Sequence, residues 1–183
     1  YFPQAREVVH FFEKIFGEYP FWEDGYKLVE TPYAGMEHQS AIAYGNGYTT
    51  SGHYYMYDLV DYIILHETAH EWWGNSLTAC DGADIWLHES FATFGEVLYV
   101  EEKLGRLVSI DYLKKKRSYI SNKLPMVGPR NVNYWGFDDV YWKGAWVLHT
   151  LRSVINNDTI FFRWIKESQK KFRYSIICSE EFI

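Results

Sequence analysis

Apolar residues recur at helical spacing from Pro3 to Phe16, at Val8, Val9, Phe12, Ile15 and Phe16, with proline near the first turn. Gly17 and Pro20 end that pattern. Tyr26–Glu30 and Ser40–Tyr44 read as short strands, and positions 46–52 as a Gly/Thr/Ser loop. Helical spacing resumes over Tyr57–Trp73 and stops at Gly74-Asn75; Leu77–Gly82 is a turn or a short strand. Trp86–Leu104 predicts a second strong helix closed by Gly105, and Val108–Ile120 a third. A loop rich in Pro and Gly follows over 124–136. Asp138 or Asp139 can cap a helix reaching Ile155, and Thr159–Phe172 predicts the last one. The closing Ser179-Glu-Glu-Phe-Ile reads as a cap with almost no helix behind it. No repeat or linker divides the chain. The expectation is one domain, 1–183, of the α+β class, predominantly α, with a small β portion near the N-terminus.

At 183 residues the chain can bury a real core, and its 20% aromatic content is suited to large cores, clefts and interfaces. A net charge of −6 makes nucleic acid a poor partner. The run Lys114-Lys-Lys-Arg117 then reads as a solvated helix face rather than a nuclear or nucleic-acid signal. No window of about 18 uninterrupted apolar residues is present, so no membrane span is expected. Cys80 and Cys178 are too few for a disulfide framework, lack zinc-finger spacing and leave the redox compartment open. The chain opens without Met inside a helical pattern, with no signal peptide. It is expected to be a piece of a longer protein whose targeting signals lie outside it, so localisation stays unassigned.

The candidate chemistry starts at His66-Glu67-Thr68-Ala69-His70. On a helix, positions four apart share a face, so both imidazoles can reach one metal ion. Glu67 can then reach a water on that metal without occupying the metal itself. A lone histidine is usually a core or surface residue; this five-residue pattern is a metallopeptidase signature. Eighteen residues after His70 comes Glu89, within Trp86-Leu-His-Glu-Ser-Phe-Ala92. The loop 75–84 lets the second helix return beside the first, so Glu89 can complete a His, His, Glu set. Three protein ligands leave a position for water, as a catalytic zinc site requires.

These two segments, His66-Glu-Thr-Ala-His-Glu-Trp-Trp-Gly-Asn75 and Trp86–Ala92, resemble the M1 family of zinc aminopeptidases, which carries H-E-x-x-H, eighteen residues, then Glu in a W-L-N-E-G-F-A segment. His88 and Ser90 stand where that segment has Asn and Gly, and neither change removes a ligand. His88 lies about 100° around the helix from Glu89 and reads as a residue that supports the metal ligands or packs. Ala34-Gly35-Met36-Glu37-His38 resembles the family's G-x-M-E-N motif, and Tyr141-Trp-Lys-Gly-Ala145 its Y-x-K-G-A segment. Tyr134 is a rival tyrosine, but it lacks the Lys-Gly that follows Tyr141.

The resemblance implies a thermolysin-like (gluzincin) catalytic domain with one Zn2+ held by His66, His70 and Glu89. It implies an edge strand at Gly35 and Met36 that binds the substrate backbone, with Glu37 holding the free α-amine. It further implies Glu67 as general base and Tyr141 as donor to the transition state. A fixed carboxylate near zinc would select a cationic N-terminus, and a protonated phenol can donate to an oxyanion. The expected partners are a peptide with a free N-terminus and flanking domains absent from this chain: an N-terminal β domain and a helical C-terminal domain. Tyr33 and Trp142 are candidates to shape the pocket, and Asp84 and Glu96 to orient the ligand imidazoles. The alternatives are a thermolysin-like endopeptidase or an epoxide hydrolase on the same zinc, or a non-catalytic zinc-binding fragment.

Overall fold

A computed structural model describes residues 2–47, 56–133 and 138–183. The element order is α1 (Phe2–Phe16), β1 (Leu28–Glu30), β2 (Gly35–Met36), β3 (Ile42–Tyr44), α2 (Tyr62–Ala69), β4 (Leu77–Ala79), α3 (Trp86–Leu104), α4 (Arg106–Lys115), α5 (Asp139–Ile155), α6 (Asp158–Phe172), β5 (Ser175–Ile177) and α7 (Ser179–Phe182). Short 3-10 turns precede α3 and follow α4. The domain is predominantly helical with a minor β component, as the sequence pattern predicts. No helix among the described residues is long and apolar enough to cross a membrane.

The centre of the molecule is α3. Every residue from Trp86 to Val100 is buried, as expected of a helix covered on all sides. It packs against α2, α4, α5 and β4. An aromatic stack ties α1 to this axis: Phe12 lies 5.0 Å from Phe16, Phe16 lies 5.8 Å from Trp73, and Trp73 stacks on Phe91 of α3 at 3.7 Å. Much of the aromatic excess is therefore core glue, and it fixes the chain just beyond α2 against α3.

The first sheet has the order β1-β3-β2. β1 and β3 are parallel, and β2 pairs antiparallel with β3 through Gly35↔Tyr44 and Met36↔Ala43, so β2 is an edge. A second sheet of β4 and β5 is parallel, with Leu77 opposite Ser175. Cys80 and Cys178, each just past its strand, form a disulfide.

Three expectations need adjustment. The helix expected over Tyr57–Trp73 is shorter, because Tyr57 and Asp58 have φ of 54° and 57° and Asp61 caps the helix at its start. The helix expected to run to Ile120 tightens to a 3-10 turn at Lys116–Tyr119. β5 lies outside the elements the sequence pattern predicts, because its pairing with β4 is a contact between distant parts of the chain. Most of the loop expected at 46–52, and Tyr134, lie outside the described residues.

Candidate metal centre and active site

Asp61 sets the start of α2. Its Oδ1 accepts the Ile63 N–H at 3.0 Å and the Asn46 amide at 2.9 Å, and its Oδ2 accepts the Tyr44 hydroxyl at 2.5 Å. The carboxylate is fully buried but well supplied with donors. This anchors to β3 the helix that carries His66 and Glu67.

His66 Nε2, His70 Nε2 and Glu89 Oε2 form one small triangle. The two nitrogens are 3.2 Å apart, and they lie 3.2 and 3.4 Å from the Glu89 oxygen. Metal–ligand distances of about 2.0–2.1 Å in tetrahedral geometry place donors roughly 3.3–3.4 Å apart, so this donor set fits one zinc ion. All three residues are buried. The opposite ring nitrogens are engaged: His66 Nδ1 bonds Glu96 Oε1 at 2.7 Å, and His70 Nδ1 bonds the Trp73 carbonyl at 2.9 Å. With the rings neutral, as metal binding requires, donation from Nδ1–H leaves each Nε2 lone pair facing the triangle. Glu96 also accepts the Tyr112 hydroxyl at 2.9 Å.

The charges are strongly coupled. Burial disfavours the His66 imidazolium, but hydrogen bonds to Glu89 and Glu96 outweigh it and raise its pKa well above the ordinary value. Burial likewise opposes protonation of His70, yet Glu89 brings it to about 9. Burial also works against an ionised Glu89, but His70 and His66 hold its carboxyl far below the usual range. In the unmetallated protein the two imidazoles thus hold protons against a carboxylate that keeps its charge.

Glu67 lies next to this set on α2 and is buried. Burial raises its pKa, partly countered by His66 and His70, a useful direction for a general base. Gly35 explains how the edge strand gets so close. A Cβ there would meet Ile63 and would sit 2.8 Å from Glu67 Oε1, so any larger residue would have to displace Ile63 and Glu67. Just beyond β2, the Glu37 carbonyl accepts the Asn75 amide at 2.9 Å. The Glu37 carboxylate is half-buried and acts electrostatically on Glu67, His70 and Tyr141. Met36 is exposed on the edge strand.

Tyr141, in the first turns of α5, stacks on His66 at 6.0 Å between ring centroids. Burial, reinforced by Glu89, Glu37 and Glu67, raises its pKa, so it remains a protonated donor. The α3–α5 contact that positions it is close. Ser90 Oγ donates to the Val140 carbonyl at 2.6 Å, and a Cβ on Gly144 would run into Ser90.

The structure therefore brings His66, Glu67, His70, Glu89, Gly35, Glu37 and Tyr141 into one region. Of the two carboxylates considered for orienting the imidazoles, Glu96 touches His66. Asp84 instead engages Arg130 and Ser179. Trp142 packs against Tyr112 and under Lys116, and Tyr33 is exposed. Asn75 and the Trp73 carbonyl carried no sequence signal as supports of the site.

The sequence profile of the Peptidase family M1 domain matches residues 2–183. The chain belongs to the M1 peptidase family. Among M1-like relatives, the leucyl aminopeptidase of Saccharolobus solfataricus is 29% identical over 93% of this chain and 24% of its own length. Endoplasmic reticulum aminopeptidase 1 of Mus musculus is 34% identical over 65% of this chain and 14% of its own. Yeast LTA4 hydrolase, solved in complex with bestatin, superposes with a TM-score of 0.80 at 24% identity, over 98% of this chain and 31% of that one. The M1 zinc metallopeptidase of Deinococcus radiodurans gives 0.77 at 22% identity, over 98% and 38%. These two structures show the shared fold. The chain spans about a quarter or less of the length of the two curated relatives.

Proposed function

We propose that this chain is the catalytic unit of a zinc-dependent aminopeptidase that releases the N-terminal residue of peptides. The observation that carries the reading is the triangle of His66 Nε2, His70 Nε2 and Glu89 Oε2, with edges of 3.2–3.4 Å and Glu67 beside it. Those three residues would hold the ion, which when bound supplies Lewis acidity toward a water and a peptide carbonyl. Glu67 takes a proton from the attacking water and returns it to the leaving amine. Tyr141 donates its O–H to the developing oxyanion. Glu37 pairs with the α-ammonium, and the Gly35–Met36 edge offers backbone groups to the substrate. The aminopeptidase names of the relatives support the same reading.

The test is Glu67→Gln, assayed for zinc content and for release of an N-terminal residue. Zinc should stay near one per chain while turnover falls by about 10²–10⁴-fold. Undiminished turnover refutes Glu67 as the base. A peptide with an acetylated N-terminus should resist cleavage; equal cleavage would point to an endopeptidase.

A further inference from the structure

Beside Glu37 the surface opens into a cavity of about 320 Å³. That is the small end of the ligand-pocket range, suited to one side chain rather than a peptide. Its walls are Glu37 just past β2, Ala79 and Asp81 at the end of β4, Ile85 and His88 at the start of α3, and Val132 from the loop beyond. Ala79, Ile85 and Val132 give it an apolar lining for a methylene chain. Among the described residues, two carboxylates belong to its walls, and no Lys or Arg does. Arg130, near Val132 in sequence, pairs with Asp84 and Glu180 and also acts electrostatically on Asp81.

Asp81 is held in place rather than swinging free. Its Oδ1 accepts the Ala83 N–H and its Oδ2 the Asn131 N–H, both at 2.9 Å. Each carboxylate oxygen keeps a second lone pair for another donor. The two backbone bonds also lower its pKa, which keeps it charged. Glu37 and Asp81 thus present two negative charges in one cavity, one beside the metal centre and one in the outer wall.

We propose that this cavity receives the side chain of the substrate's first residue and selects a cationic one, arginine or lysine. Glu37 meets the α-amine, the apolar walls carry the methylenes, and Asp81 meets the guanidinium or ammonium. This rests on the aminopeptidase reading above and adds the substrate class to it.

The test measures binding rather than turnover. The zinc-loaded protein is titrated calorimetrically with free L-arginine, with L-citrulline, which keeps the shape without the charge, and with Nα-acetyl-L-arginine. A charge pair in a half-open cavity predicts that arginine binds about fivefold more tightly than citrulline. The gap should shrink in high salt and close in Asp81→Asn, where Asn still caps the turn before α3. Equal affinity for arginine and citrulline in the unaltered protein overturns the selection. A gap that survives in a folded Asp81→Asn variant overturns the role of Asp81. Failure of the underlying reading has a different signature: Nα-acetyl-L-arginine then binds as well as arginine, because no carboxylate is holding the free amine.

Discussion

Glu96 is fully buried and serves two donors, His66 Nδ1–H at 2.7 Å and the Tyr112 hydroxyl at 2.9 Å. Removing its charge should weaken zinc binding without touching a ligand atom. Glu96→Gln keeps the volume and one carbonyl acceptor, so His66 can stay oriented, but the carboxylate no longer raises the basicity of the ring. Replacing such a supporting group costs about 10–100-fold in metal affinity. The retained acceptor puts Glu96→Gln at the low end, about tenfold or ~1.4 kcal/mol. Glu96→Ala also strands two buried donors, each worth about 1–3 kcal/mol. It should lose zinc further and unfold at lower denaturant. Competition against a chelator of known affinity, at one pH, measures the first effect. A folded Glu96→Gln protein with unaltered zinc affinity would refute the claim that Glu96 tunes His66.

Three other outcomes follow from the geometry. Gly144→Ala pushes a methyl into Ser90, so it should cost about 1–3 kcal/mol in chemical denaturation, and Ser90→Gly should restore most of it in the double variant; a neutral Gly144→Ala removes this account of the α3–α5 contact. The disulfide closes a loop with a sequence separation of 98, so reduction should lower stability by about 2–4 kcal/mol; a urea midpoint indifferent to reductant would contradict it. Zinc affinity should fall as pH drops through the titration of His66 and more steeply below about 9, where His70 takes up its proton in the metal-free protein, because ligation needs both rings neutral. Glu89 stays ionised and contributes no proton, so among the ligand side chains only the imidazoles release protons on binding. The calorimetric heat should therefore depend on the buffer's ionisation enthalpy, and a buffer-independent heat refutes the proton count.

What the sequence reveals of the site, and what it conceals, follows from helix phase and contact distance. His66 and His70 are four apart on one helix, so their convergence is a local property that spacing alone expresses. Glu89 is legible because a fixed interval returns it to the same place. Asn75 supporting Glu37, Gly35 lying over Glu67, and Cys80 meeting Cys178 each join segments that no local period relates. They become visible only once the β strands are placed. The Trp86–Leu104 helix was legible although it is buried almost all round, because its length and the closing Gly105 mark it without an amphipathic stripe.

The orienting carboxylate lies between these cases. Glu96 follows Glu89 by seven residues, nearly two full turns, so both project from the same face of α3. One reaches Nε2 of His66 and the other Nδ1. Asp84 precedes the helix, in a 3-10 turn, and has no such phase relation; it turns instead to Arg130 and Ser179. The same phase accounts for His88. Displaced about 100° from Glu89, it faces β4 and accepts the Ala79 N–H at 2.8 Å. A histidine beside a metal ligand thereby becomes a clasp between strand and helix.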